Sequence, residues 1–322
     1  MRWLASAAPV LCLAVCVAGC ASGGSVRPPV VHARVGPLAP AAVPAAIRLV
    51  QTIGALGSSP GSFREPSGIA VGPDGEVYVA DTGNHRIQVI DPDGTPVSIL
   101  GSFGWDPGEF DAPVAVALSH GARPMLYVGE RGGRRVQVCD LTTEQYRVVL
   151  EESADARLDP TALAVGRRNE LYVTDAAGHR ILSLSADGTT DWSRGGFGSG
   201  PDRLIEPGGV AVSRQGRVLV SDTGNRRLVP MDFAGAVVAA WPNPGVDAPA
   251  GVAWSAGRWY VCDRATGRVV VLDEEGATLM SFGEGVLVDP TGVAVNGDAL
   301  FVSDRGAHDI KRYLVVEPPI AD

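Results

Sequence analysis

Imidazole is the commonest side-chain ligand of transition metals and a frequent general base, so the histidines are the first residues to question. There are five: His32, His85, His120, His179 and His308. His85, His179 and His308 sit in matching stretches, "TGNHR", "AAGHR" and "RGAHD", and would share one face of a repeated fold. A repeat would also hold them far apart, whereas zinc bonds are only about 2 Å long. The spacing therefore reads as a turn position rather than a metal centre. No Ser-His-Asp or Cys-His arrangement can be assembled, and no glycine-rich phosphate loop is present. Cys139 and Cys262 lie in apolar runs without ligand spacing and read as small core residues, unlikely partners for a disulfide. No cofactor, catalytic residue or metal ligand is expected. What remains is a set of acids, one or two residues ahead of recurrent prolines: Glu65, Asp111, Asp159, Glu206, Asp247 and Asp289. Gathered around one opening, such charges would focus a field suited to a cation, a basic peptide or a positive protein surface. They could equally be solvated loop starts.

The elements that would position these acids come from an internal repeat. Prolines 66, 113, 160, 207, 249 and 290 open six segments at intervals of 47, 47, 47, 42 and 41 residues. Each segment opens with a run such as "PSGIAV" or "PTGVAV". A second run such as "EVYVAD" follows, then a polar turn, a third run such as "RIQVID", and a fourth such as "PVSILGSFG". Four short strands per unit is the period of a β-propeller blade. The first run alternates slim and bulky residues, with Gly or Ala third, Ile, Val or Leu fourth, and Ala fifth in all six. Alternate residues of a strand face opposite sides, so one slim face can meet one bulky face where blades converge. The sixth segment has three runs, and "IRLVQTIG" (47–54) supplies its fourth from the other end of the chain. An all-β, six-bladed propeller over residues 47–316 is the expected fold. Its last blade is closed by the N-terminal strand, which leaves no open sheet edge.

The pattern "P-x-G-[IV]-A-V … YVADTGNHRIQVID-x-DG … FG" resembles the NHL-repeat family. That resemblance implies a six-bladed propeller but no single function, since such propellers serve as lyases, RNA-binding domains and scaffolds. The lyase branch implies metal-binding histidines just after the opening proline. Ser67, Val114, Thr161, Gly208, Ala250 and Thr291 stand there instead, which argues against that activity. The Glu, Asn and Asp cation set implied by lactonase-like propellers is not found in the first strands either. "DTGNHR" recurs as "DTGNRR" because each blade needs the same turn. Its Asp and Asn bond local amides, its Gly takes the left-handed conformation, and its Arg reaches a nearby carboxylate or carbonyl. The second repeat departs with Glu130 and the sixth with Asp309. Pro230, inside a third strand, predicts a bulge. Longer loops carry Phe103, Trp105, Phe110, Phe197 and Arg203, suited either to recognition or to local stapling.

Residues 1–19, "MRWLASAAPVLCLAVCVAG", followed by Cys20, resemble a bacterial lipoprotein signal with Cys20 as the lipidation site. By the same resemblance, alanine at position 21 favours the outer membrane. Residues 20–46 read as a Pro/Ala-rich tether reaching roughly 80 Å if extended, and 317–322 as a tail. The net charge of −9 counts against nucleic acid as a partner. The reading that follows is a non-catalytic binding or scaffold module of a cell-envelope complex, with envelope proteins as partners and a lipid anchor in the membrane. The alternative is a metal-dependent hydrolase or lyase of the six-bladed class.

Overall fold

The computed structural model describes residues 43–318, apart from 122, 155, 239–240 and 242–243. The leader, Cys20 and most of the tether lie outside the described residues. Among the described residues twenty-three strands form six antiparallel sheets, one per repeat, each running outward from the strand at or just after its opening proline. The innermost strands are Pro66–Val71, Pro113–Leu118, Pro160–Val165, Gly209–Val212, Pro249–Ser255 and Pro290–Asn296. Five sheets have four strands; blade 4 shows three among the described residues, extended by an isolated bridge from Met231 to Val237. In blade 6 the outermost strand is Ala46–Ile53, paired antiparallel with Asp309–Val316 from Ala46↔Val316 to Ile53↔Ile310. The two ends of the chain therefore complete one sheet, and the ring closes by main-chain hydrogen bonds.

The slim third position of the innermost strand does what its alternation suggests. A Cβ built on Gly68 would lie 2.7 Å from Ala115 Cα, and one on Gly292 would lie 2.5 Å from the Ser67 carbonyl oxygen. On Gly209 it would lie 2.0 Å from the Ala250 carbonyl oxygen, and on Gly251 2.5 Å from that of Thr291. The backbones of neighbouring innermost strands thus touch around the axis. Outside them, the bulky residues form one buried cluster at each seam. At the closing seam, Ile69, Val77 and Ile90 of blade 1 pack against Ala294, Phe301 and Ile310 of blade 6.

Two expectations are corrected. Pro230 causes no bulge: Leu219 pairs with Pro230 in unbroken register. Its carbonyl accepts from Val238 N, on the outer side of the sheet, so the missing N–H faces outward too and costs the inner ladder nothing. In the repeated turn, the left-handed residue is not the glycine. Thr82–Asn84 and Thr223–Asn225 are single 3₁₀ turns, and His85 and Arg226 after them adopt φ 55°. Gly83 is needed for close approach instead, because a Cβ there would lie 2.5 Å from Arg64 Cγ.

Candidate functional site

Each blade ends its second strand on a buried acid: Asp81, Glu130, Asp175, Asp222, Asp263 or Asp304, all with no accessible surface. A buried carboxylate must be matched by donors. Asp81 is matched by Arg64 N at 2.7 Å, Asn84 Nδ2 at 2.8 Å, Arg86 Nε at 2.7 Å and Gln88 Nε2 at 3.0 Å. The arginine pairing recurs at Glu130–Arg135, Asp175–Arg180 and Asp222–Arg227, at 2.7 to 2.8 Å, and more loosely at Asp263–Arg268, 3.7 Å. In blade 6 Asp309 replaces the arginine and pairs with Lys311 at 2.5 Å. Burial pushes the Asp309 carboxyl above its usual range, against the pull of Lys311.

The turn histidines are structural acceptors between blades. His85 Nδ1 accepts from Ala112 N at 3.1 Å, His179 Nδ1 from Glu206 N at 3.1 Å, and His308 Nδ1 from Glu65 N at 3.0 Å. In each case the donor immediately precedes the next blade's proline and is left-handed, with φ 49°, 47° and 51°. The turn acid then takes the amide one residue earlier, as Asp81 takes that of Arg64. Where the turn residue is Arg134, Arg226 or Gly267, the next blade's acid accepts the pre-proline amide directly: Asp175 from Asp159, Asp263 from Ala248, Asp304 from Asp289. One imidazole thus decides the backbone conformation at the start of the following blade. Among the described residues no three His, Cys, Asp or Glu side chains form a metal-holding group.

A cavity of about 570 Å³ opens at the axis, lined by the small residues of all six innermost strands, including Ser67, Thr161 and Thr291. Asp159 and Glu206 reach its lining, as do Arg131, Arg264 and Arg305. Each arginine directly follows a turn acid and crosses to the next blade. Arg131 meets Asp159 at 3.3 Å and Arg305 meets Glu65 at 2.8 Å. Arg264 grips Asp289 through two nitrogens, at 2.6 and 3.0 Å, and that carboxylate holds the guanidinium proton more tightly than usual. Asp111 lies 3.3 Å from His85 Nδ1, and Asp247 is exposed outside the cavity lining. The opening therefore carries both signs of charge rather than one. The arginines had no signal in the repeat, because Thr82, Ala176 and Thr223 hold the same position in the other blades.

The long loops also resolve. Phe110 is fully buried as a staple, while Phe103, Trp105 and Phe197 remain exposed. Phe103 packs edge-on against His85 and Phe197 against His179, with ring centroids 4.9 and 5.1 Å apart.

Six blades closed by strands from both chain ends, with a small-residue channel at the axis, define a six-bladed β-propeller. A sequence profile of the NHL repeat matches residues 63–90, and the chain is an NHL-repeat propeller. It is 26% identical over 136 residues to Protein brain tumor of Drosophila melanogaster, covering 42% of this chain and 13% of that one. It is 29% identical over 116 residues to a gluconolactonase of Zymomonas mobilis, covering 35% and 32%. The fold is similar to that of virginiamycin B lyase from Staphylococcus aureus, with a TM-score of 0.62, 13% identity, and coverage of 84% of this chain and 100% of that one. The chain spans between 5 and 32% of the length of the curated relatives that it matches.

Proposed function

We propose that this protein is a binding module of a cell-envelope assembly, tethered by lipid at Cys20, which takes its partner at the channel mouth. The observation that carries the reading is the mouth itself: three partly exposed arginines alternating with carboxylates over a channel of about 570 Å³. Arginines and acids at the edge of a concave site give orientation and specificity. The acids before the blade prolines contribute as partners of those arginines, with Glu206 adding a further carboxylate.

The second reading, a hydrolase or lyase of the six-bladed class, draws on the fold shared with virginiamycin B lyase and on the gluconolactonase similarity. A divalent ion would need converging acids or histidines. The turn histidines already accept amides through Nδ1, and Glu65, Asp159 and Asp289 already hold arginines. The described residues do not fit such an ion. The test is a crosslinked pull-down of the full-length protein from its own membranes. A partner recovered in near-equal amount supports the binding module. Recovery of the protein alone, with turnover of a lactone or ester substrate, supports the enzyme.

A further inference from the structure

The loops that approach blades 6, 1 and 2 share a feature that folding alone does not require. Leu56, Phe103, Trp105 and Val288 are 60 to 63% exposed, on loops that lead into the strand starts beside the channel mouth. These are not side chains that failed to find a core. Leu56 and Phe103 each bridge to a phenylalanine, Phe63 and Phe110, that is fully buried, so each loop already has its anchor. Two of the loops are also tied to the neighbouring turn and strand by side-chain hydrogen bonds. Arg86 donates to the carbonyls of Ser59 and Ser62, both at 3.2 Å, and Asn84 to that of Gly57 at 2.9 Å. Arg135 donates to the carbonyls of Trp105 and Glu109, while Gln137 accepts from Gly108 N and donates to Glu109. Apolar groups on loops already pinned by hydrogen bonds lose less freedom when a partner covers them.

At the inner edge of this arc stand Arg305 on blade 6 and Arg131 on blade 2. Among the described residues, Arg305 engages Glu65 through Nη2 alone and Arg131 engages Asp159 through Nε alone. Their other guanidinium N–H groups remain available at the mouth. Exposed aromatic residues beside arginines with unused donors match the composition of interface hot spots. The chain itself arrives from the other side: Ala46 begins the outermost strand at the opposite end, and Ile53 ends it where the Leu56 loop begins. The arc therefore lies at the opposite end of the blade from the point where residues before 46 join the propeller.

We infer that the arc from Val288 through Leu56 to Trp105 docks a partner protein, and that a segment of this partner covers the apolar groups while placing an aspartate or glutamate against Arg305 and Arg131. The inference rests on the binding-module reading and adds the docking face and the chemistry of its occupant.

The test uses the full-length protein in its own membranes. A photoreactive benzoylphenylalanine is placed at Leu56 or Trp105, at Phe197 across the mouth, or at Val97 on the outer strand of blade 1. The expected result is one protein crosslinked from positions 56 and 105 and not from 97, through a peptide that contains an acidic residue among apolar ones. R131Q/R305Q should lower that yield roughly tenfold, the scale of losing charge-assisted hydrogen bonds. Glu65→Gln, which frees Arg305 from its ion pair, should raise the yield. Thermal melts of the variants separate these effects from misfolding. Equal crosslinking from Val97, capture of a second copy of this chain or of lipid alone, or a yield indifferent to all three substitutions would overturn the inference. If the pull-down still recovers a partner in those cases, the binding module stands and only the arc falls. If no partner appears by either method, the binding-module reading falls as well.

Discussion

His308 Nδ1 accepts the backbone amide of Glu65 at 3.0 Å, across 243 residues of chain. It joins the turn of the last blade to the start of the first, at the seam that closes the ring. An acceptor nitrogen is what holds Glu65 left-handed, a conformation that costs a non-glycine residue about 1–2 kcal/mol. Replacing His308 with Ala strands that amide and should destabilise the propeller by about 1–2 kcal/mol in urea titrations. His308→Asn, whose side-chain oxygen can accept and which tolerates left-handed φ, should recover part of the loss. Equal stability of wild type and the Ala variant would remove the latch from the account of closure.

The innermost strands make a sharper prediction. Gly209→Ala places a methyl 2.0 Å from the Ala250 carbonyl oxygen, and backbone there has nowhere to move. The expected cost is about 1–3 kcal/mol. Gly72→Ala, whose nearest contact would be 3.6 Å away, should be close to neutral. Calorimetric melts of the two variants side by side give the comparison, and similar melting temperatures would contradict axial contact between blades.

Cys262 is wholly buried, and burial pushes its thiol well above the ordinary range; Cys139 is shifted the same way for the same reason. Only the thiolate reacts with alkylating agents. Both cysteines should therefore resist iodoacetamide at pH 8 in the native protein and label at the rate of global unfolding. Rapid native labelling of Cys262 would show that the seam between blades 5 and 6 opens on its own.

Blade 6 is the one blade whose third strand does not open with an arginine; Asp309 stands there instead. The folded Asp309 carboxyl titrates above its ordinary 3.8. The native state thus binds this proton more readily than the unfolded chain, and the resulting contribution to stability falls as pH rises from 3.8 through the raised value. At neutral pH the penalty is fully present. D309R/K311Q, which copies the Arg86 and Gln88 arrangement of blade 1, should remove the penalty and give Asp304 a guanidinium partner. The variant should gain about 1 kcal/mol at pH 7, with the advantage shrinking toward pH 4. A gap that does not change with pH would show that Asp309 is not its source.

The channel mouth was only half legible. The acids ahead of the prolines repeat with the blades and stand out in one dimension. Their partners Arg131, Arg264 and Arg305 occupy a position that is Thr, Ala or Thr elsewhere, and they contact acids 25 residues or more away in the chain. The histidine latch was similarly hidden. His85, His179 and His308 were placed correctly in the turn, but the amides they accept belong to the following blade. The exposure of Phe103 and Trp105 beside the burial of Phe110 in one short loop could not be told apart by residue type.

The sequence by itself determined the number of blades, the closure by a strand within residues 47–54, and the slim axial face. These rest on periodicity and side-chain volume, which a chain records along its length. The tertiary structure alone decided which acids are neutralised, which backbone residue turns left-handed, and which apolar groups stay in solvent. Each of those depends on a neighbour supplied by the next blade, and that neighbour exists only once the ring has closed.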